Sequence, residues 1–177
     1  MGRINAAIRV KLFCGIISSG AEVSEETLKI LQGRFGNIDY KSAEAPFTDF
    51  SDYYNPEMGE TLSRFWVSFD RLVYADELAD IKVWTNSVED DFAISGKRRI
   101  NIDPGYITPA SVILASTKNF SHRIYLSKGI YGEVTTIYEK NKFVKLPWSY
   151  QDYFSKPAQD FLIEARTKLL KQLKETK

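Results

Sequence analysis

The chain has 177 residues, of which 44% are apolar, 27% charged and 14% aromatic, enough to bury a core without disulfide or metal staples. Lys and Arg number 24 against 23 Asp and Glu, so there is no basic surplus and general nucleic-acid binding is disfavoured. One cysteine, Cys14, and one histidine, His122, exclude an internal disulfide, a cysteine-rich zinc site and paired-histidine metal chemistry.

No apolar run approaches the roughly 18 residues that span a bilayer. The opening M-G-R-I-N-A-A-I-R lacks the apolar core of a signal peptide. A cytoplasmic, single-domain protein over 1–177 is expected, with residues 1–8 a loose arm. The run V-K-L-F-C-G-I-I-S from Val10 is nearly all apolar and reads as a buried strand. Ser24, followed by Glu25 and Glu26, suits a helix start. Leu28, Leu31 and Phe35 hold helical spacing, and Gly36 is a ready stop. A strand is expected over residues 38–47, then a long polar and aromatic loop, T-D-F-S-D-Y-Y-N-P-E-M-G. Residues 62–69 read as a strand. From Asp76, Leu78, Ile81, Val88 and Phe92 continue one helix, and residues 99–103 form the next strand.

This β-α-β-β-α-β order over residues 9–104 predicts an α+β fold with a ferredoxin-like antiparallel sheet and helices on one face. Residues 105–177 extend it. Thr108 and Pro109 suit the cap and first position of a short helix over 110–116. A β-hairpin, a short strand over 143–146, the aromatic loop P-W-S-Y-Q-D-Y-F and a last helix with Phe161, Ala165, Leu169 and Leu173 on one stripe follow.

The hairpin joins residues 122–126 to 130–138 through S-K-G. A three-residue loop ending in glycine predicts a type I turn with a bulge, Gly129 being left-handed. Position 126 then faces 130, 124 faces 132 and 122 faces 134. One face holds His122, Ile124, Leu126, Ile130, Gly132 and Val134; the other holds Arg123, Tyr125, Tyr131, Glu133 and Thr135. Arg123 thus sits opposite Glu133. The plain reading is a solvated ion pair worth under about 1 kcal/mol. The sharper one is a binding platform, with Arg123 for an anion and the tyrosines for a ring.

Other positions carry paired readings. His122 is a satisfied structural residue on the apolar face, or a general acid or base with an ordinary pKa of about 6.5. Lys118 lies just before it and brings an ammonium. Asp103-Pro104-Gly105-Tyr106 is turn chemistry, or an active-site loop whose Asp103 binds a cation or takes a proton. Asp49, Asp52, Tyr53 and Tyr54 form a solvated acidic loop, or a site suiting Mg²⁺ better than zinc. Lys97-Arg98-Arg99 is a solvated strand start, or a phosphate contact. No phosphate-binding glycine loop, dinucleotide fingerprint, nucleophile elbow or RNA-reading K-G-F-G-F run occurs.

Several longer motifs go further: the F-T-D-F-S-D-Y-Y loop, R-R-I-N-I-D-P-G-Y, L-A-S-T-K-N-F-S-H-R-I-Y-L, G-I-Y-G-E-V-T and L-P-W-S-Y-Q-D-Y. Through them nearly the whole chain resembles domain-of-unknown-function family 4416, found in bacteria and archaea. The resemblance implies a single-domain protein and transfers no catalytic role. Its motifs fall on Asp103, Tyr106, Lys118, His122, Arg123 and Glu133. Three functions stand. The first is a small-molecule anion site, for a nucleotide or phosphorylated metabolite, on Lys118 and Arg123 with tyrosines for a ring. The second is an enzyme using His122 or Asp103, with Mg²⁺ allowed. The third is an interaction protein whose aromatic loops and open sheet face bind a partner or a second copy.

Overall fold

The computed structural model describes residue 3 and residues 7–175, so the arm expected over residues 1–8 lies largely outside the described residues. Among these residues the fold is α+β, with one nine-stranded antiparallel sheet and four helices. In chain order they are β1 (Val10–Ser18), α1 (Ala21–Phe35), β2 (Ile38–Lys41), β3 (Ala45–Pro46), α2 (Asn55–Met58), β4 (Ser63–Val73), α3 (Leu78–Asp91), β5 (Ile100–Ile107), β6 (Ser111–Ser116), β7 (Arg123–Ser127), β8 (Ile130–Glu139), β9 (Lys142–Lys145) and α4 (Lys156–Glu175). The sheet order is β2-β4-β1-β5-β6-β8-β7, with β3 also beside β4 and β9 beside β8.

The central strand β1 is buried at every position, because helices cover both faces of the sheet. Leu12, Cys14 and Ile16 pack with Leu31 and Phe35 of α1 and with Ile81 and Val88 of α3. The alternate residue Phe13 joins Trp66 of β4 and Leu114 of β6 against Phe161, Leu162, Ala165 and Leu169 of α4. The sheet is larger than the expected four-strand core with its hairpin and short strand, having nine strands. The core helices α1 and α3 share one face as expected, and α4 covers the other. The amphipathic stripe of α4 was legible, but a stripe does not say which sheet face it covers.

The segment 110–116 is strand β6, not a helix. Its V-I-L run includes β-branched residues and pairs on both sides, with β5 and β8. Thr108 forms the turn into it: its hydroxyl accepts the N–H groups of Ala110 and Ser111 at 3.1 and 2.9 Å. Asp103-Pro104-Gly105-Tyr106 is no turn either; it lies within β5. Gly105 permits the close approach there, since a Cβ would stand 2.5 Å from the Ile113 carbonyl oxygen and 2.7 Å from the Phe13 ring.

Strands β5 and β6 pair only from Gly105 opposite Leu114 to Ile107 opposite Val112. Beyond that point the sheet splits, and residues 100–104 of β5 keep β1 as their strand neighbour. Side chains of α3 stand in for the missing strand: Glu89 accepts the Ile102 N–H at 2.8 Å and Lys82 donates to the Ile102 carbonyl at 2.8 Å. Pro104, two residues on and facing the same open edge, has no N–H to leave unpaired.

The hairpin register holds at Arg123 opposite Glu133, Ile124 opposite Gly132 and Tyr125 opposite Tyr131. Its turn differs from the expected one. Ser127 faces Ile130, and Lys128 and Gly129 both have positive φ, 53° and 77°, as a two-residue primed turn requires. An irregularity between Tyr125 and Ser127 absorbs the extra residue.

Candidate functional site

A cleft of about 700 Å³ opens where β5 and β6 part. One wall is the polar aromatic loop after β3. Phe47, Met58 and Leu62 anchor it on Ile17, and it presents Phe50, Tyr53 and Tyr54 to the cleft. Arg98 fastens the same wall: its Nε and Nη2 donate to Glu57 Oε1 and Oε2 at 2.6 and 2.8 Å, and its Nη1 to Glu89 and Asn101. The opposite wall comes from Ser116 to Lys118, Arg123, Glu133 and the segment Tyr150 to Tyr153.

The floor is built on Gly15. With no side chain there, the Arg64 guanidinium lies flat against the strand; a Cβ would stand 3.0 Å from Arg64 Nη2 and from Trp66 Nε1. Arg64 is 2% exposed. Its Nε and Nη2 hold Asp152 Oδ2 at 2.9 and 2.8 Å, and its carbon centre lies 4.6 Å from the Trp66 ring. Its third nitrogen, Nη1, has no hydrogen-bond partner and lies 3.7 Å from Asp103 Oδ2. Asp103 is 30% exposed; its Oδ2 accepts from Asn101 at 2.9 Å, while Lys82 Nζ stands 3.6 Å from Oδ1. Burial, reinforced by Asp103, raises the Tyr54 phenol above its ordinary range. Burial also raises Glu89, with Lys82 opposing.

On the far wall Arg123 spends every nitrogen. Its Nε donates to Glu133 at 2.8 Å, Nη1 to the Lys118 carbonyl at 2.9 Å and Nη2 to the Tyr150 hydroxyl at 2.9 Å. Glu133 is 1% exposed, so the pair is not solvated as the plain sequence reading has it. It also meets Thr135 Oγ1 at 3.2 Å and His122 Nε2 at 3.0 Å. An ionised carboxylate only accepts, so Nε2 carries the proton.

Of the expected site residues, Asp103, Lys118, Arg123 and Glu133 share the cleft. His122 does not line it, and it does not sit with Ile124 on the apolar face. It precedes β7, escapes strand alternation, and turns its ring to Glu133 while stacking on Trp148 at 5.0 Å. Tyr106 faces the opposite layer, packed among residues of α1 and α3. Tyr125 and Tyr131 pack edge to face, 5.4 Å apart, away from the cleft lining. Tyr53 and Tyr54 line it without Asp49 or Asp52. Arg98 is a wall fastener rather than a solvated strand start. Among the described residues no group of three or more His, Cys, Asp or Glu is placed to hold a metal ion.

The sequence reading missed Arg64, Lys82, Glu89, Asn101 and Asp152. A signal was present for two elements. Arg64 interrupts an apolar strand run, and Lys82 and Glu89 sit seven apart on the buried face of a helix. Formal charges in the lining cancel, five cations against five carboxylates. Lys118 is the one of these cations without a carboxylate partner among the described residues; its Nζ meets only the Tyr53 hydroxyl at 3.3 Å and that ring at 5.2 Å.

The sequence model of the family described as Domain of unknown function (DUF4416) matches residues 8–169. No curated protein and no solved structure matches the chain.

Proposed function

The chain belongs to the DUF4416 family, whose description names no activity, and from the cleft we propose that it binds a small anionic metabolite, a nucleotide or phosphorylated compound. The observation that carries this reading is that one cleft holds a cation without a carboxylate partner, Lys118, whose Nζ meets only the Tyr53 hydroxyl, and a guanidinium nitrogen without a hydrogen-bond partner, Arg64 Nη1. Net charge does not draw the anion, since the lining is balanced; the cation left over by the ion pairs does. A volume near 700 Å³ suits a ligand of nucleotide size. Tyr54 and Phe50 offer ring surface.

The test is a thermal-shift screen of nucleotides, phosphorylated metabolites and Mg²⁺, alone and together. A ligand at a hundred times its Kd adds about 2.7 kcal/mol to stability. Lys118→Ala should weaken a hit about tenfold without lowering the melting temperature of the free protein, since one exposed charge-assisted hydrogen bond is removed. A folded sample with a flat screen would overturn the reading.

An enzymatic reading is favoured by one observation, the partly exposed Asp103 carboxylate between Lys82 and Arg64. There acid–base work would fall on Asp103, with His122 acting only through Glu133. An interaction role could use the edge strand β7 and the exposed Phe120, Ile124 and Trp148, away from the strands that α4 covers. A homodimer would form there. A ferredoxin-like winding is proposed for residues 9–104 alone, supported by the antiparallel order β2-β4-β1-β5. A single domain over 1–177 is supported by the one continuous sheet. Cytoplasmic residence is supported by the lone buried Cys14; among the described residues no helix is long and apolar enough to cross a membrane.

A further inference from the structure

We propose that the cleft floor recognises a hydroxyl group, so that the ligand is a phosphate ester bearing a free hydroxyl, as sugar phosphates and nucleotides do. The inference rests on the anion-binding reading and names the other half of the ligand.

The floor sets one unspent donor beside one underused acceptor. Arg64 Nη1, on a side chain 2% exposed, has no hydrogen-bond partner. The guanidinium cannot swing away to find one. Asp152 holds two of its nitrogens, and the Trp66 ring lies against it. Asp103 Oδ2 accepts from Asn101, but the cations flanking Asp103 stand off at 3.7 Å (Arg64 Nη1) and 3.6 Å (Lys82 Nζ), beyond hydrogen-bond reach. Gaps of that size between polar groups call for a bridging atom.

Three kinds of ligand group could bridge them. A phosphate or carboxylate oxygen accepts from Arg64 but meets Asp103 as a like charge. An ammonium donates to Asp103 but meets Arg64 and Lys82. A hydroxyl both donates to Asp103 and accepts from Arg64 or Lys82, with no charge opposed. Asn86, which also lines the cleft, adds a neutral amide group of the same dual character. The anion then stays at Lys118, where no carboxylate is paired.

Isothermal titration of the intact chain with ribose 5-phosphate, adenosine 5′-monophosphate, propyl phosphate and inorganic phosphate tests this. The two hydroxylated esters should bind about 10- to 100-fold more tightly than propyl phosphate, because the apolar ester leaves buried polar groups unpaired. Tighter binding of the mononucleotide than of ribose 5-phosphate would assign the nucleotide class; equal binding would assign the sugar phosphate. Asp103→Ala, which removes the acceptor, should bring ribose 5-phosphate down to the level of propyl phosphate and leave propyl phosphate unweakened. If that variant does not fold, the ligand series on the unaltered chain still decides. Propyl phosphate binding as tightly as ribose 5-phosphate would overturn the hydroxyl subsite and leave the anion reading standing. Binding of none of the four would overturn both.

Discussion

Lys11 and Arg64 both lie on the α4-covered face of the sheet, Lys11 against the last turns of α4 and Arg64 beside the segment that leads into it. Lys11 is fully buried and its ammonium holds Asp39 and Gln172, while Asp39 takes a further hydrogen bond from Ser68 at 2.7 Å. Burial lowers the Lys11 pKa, and Asp39 works against that shift. Arg64 is as deeply buried and as well paired on one side, yet its Nη1 is left without a hydrogen-bond partner on a side chain that lines a cleft. Burial of a cation alone therefore does not mark a functional site. What sets Arg64 apart is a buried donor left unspent beside a cleft.

The largest effect should come from Arg64→Ala. It strands the buried Asp152 carboxylate, and such losses run at about 3–5 kcal/mol, read by chemical denaturation. Arg64→Lys keeps a charge near Asp152 and should keep more of the fold while losing ligand affinity.

Lys11→Met should cost less, about 1–3 kcal/mol, because Asp39 is 17% exposed and can recover water when its partner goes. Ligand affinity should be unchanged in that variant. A fall in affinity equal to that of Arg64→Lys would end the distinction between the two cations.

Gly15→Ala should cost about 1–3 kcal/mol, the range for overpacking, since the groups that must give way are the Arg64 fork held by Asp152 and the buried Trp66 ring. Its affinity loss should exceed its stability loss, because the group displaced is the Arg64 fork. Comparing the melting temperature with a titration of the best ligand checks this.

The smallest effect is a pH dependence of the cleft wall. The hydrogen bond from Arg98 holds the Glu57 carboxyl below its ordinary value of 4.5. The folded chain therefore binds fewer protons at Glu57 than the unfolded chain does. The stabilisation is complete above about pH 4.5 and is lost as pH falls through the lowered folded value. Glu57 is partly exposed, so the contribution should stay under about 1 kcal/mol. Hydrogen-exchange protection factors over residues 47–59, taken relative to the intrinsic exchange rate at each pH, should fall in acid, and Glu57→Gln should remove that dependence. Acid-insensitive protection in the unaltered chain would show that the apolar anchors Phe47 and Met58 hold the wall alone.

Sequence spacing made much of this fold legible. The apolar run of β1, the stripe of α4 and the glycine stop of α1 are local patterns, and local patterns survive folding. The D-P-G-Y motif misled because Pro and Gly usually mark turns. In β5 they serve an open strand edge and a close approach to the Ile113 carbonyl instead. Segment 110–116 misled because a capping pair preceded it, while its real determinant was two strand neighbours distant in sequence.

The candidate site divides in the same way. Arg123 opposite Glu133 followed from the hairpin alone, because a short turn leaves few registers and one slip would exchange the faces. His122, one residue outside the strand, escaped the alternation that would have placed it. Arg64 and Asp152 meet across 88 positions of chain, and nothing in the spacing of either announces the other. The sequence by itself determined the order of most elements, the apolar faces of β1 and α4, and the Arg123–Glu133 pair, because turns and periodicity act over a few residues. Only the tertiary structure decided which sheet face α4 covers, where β5 and β6 part, and that Arg64, Asp103 and Lys118 border one cleft. Those outcomes depend on packing between segments far apart in the chain.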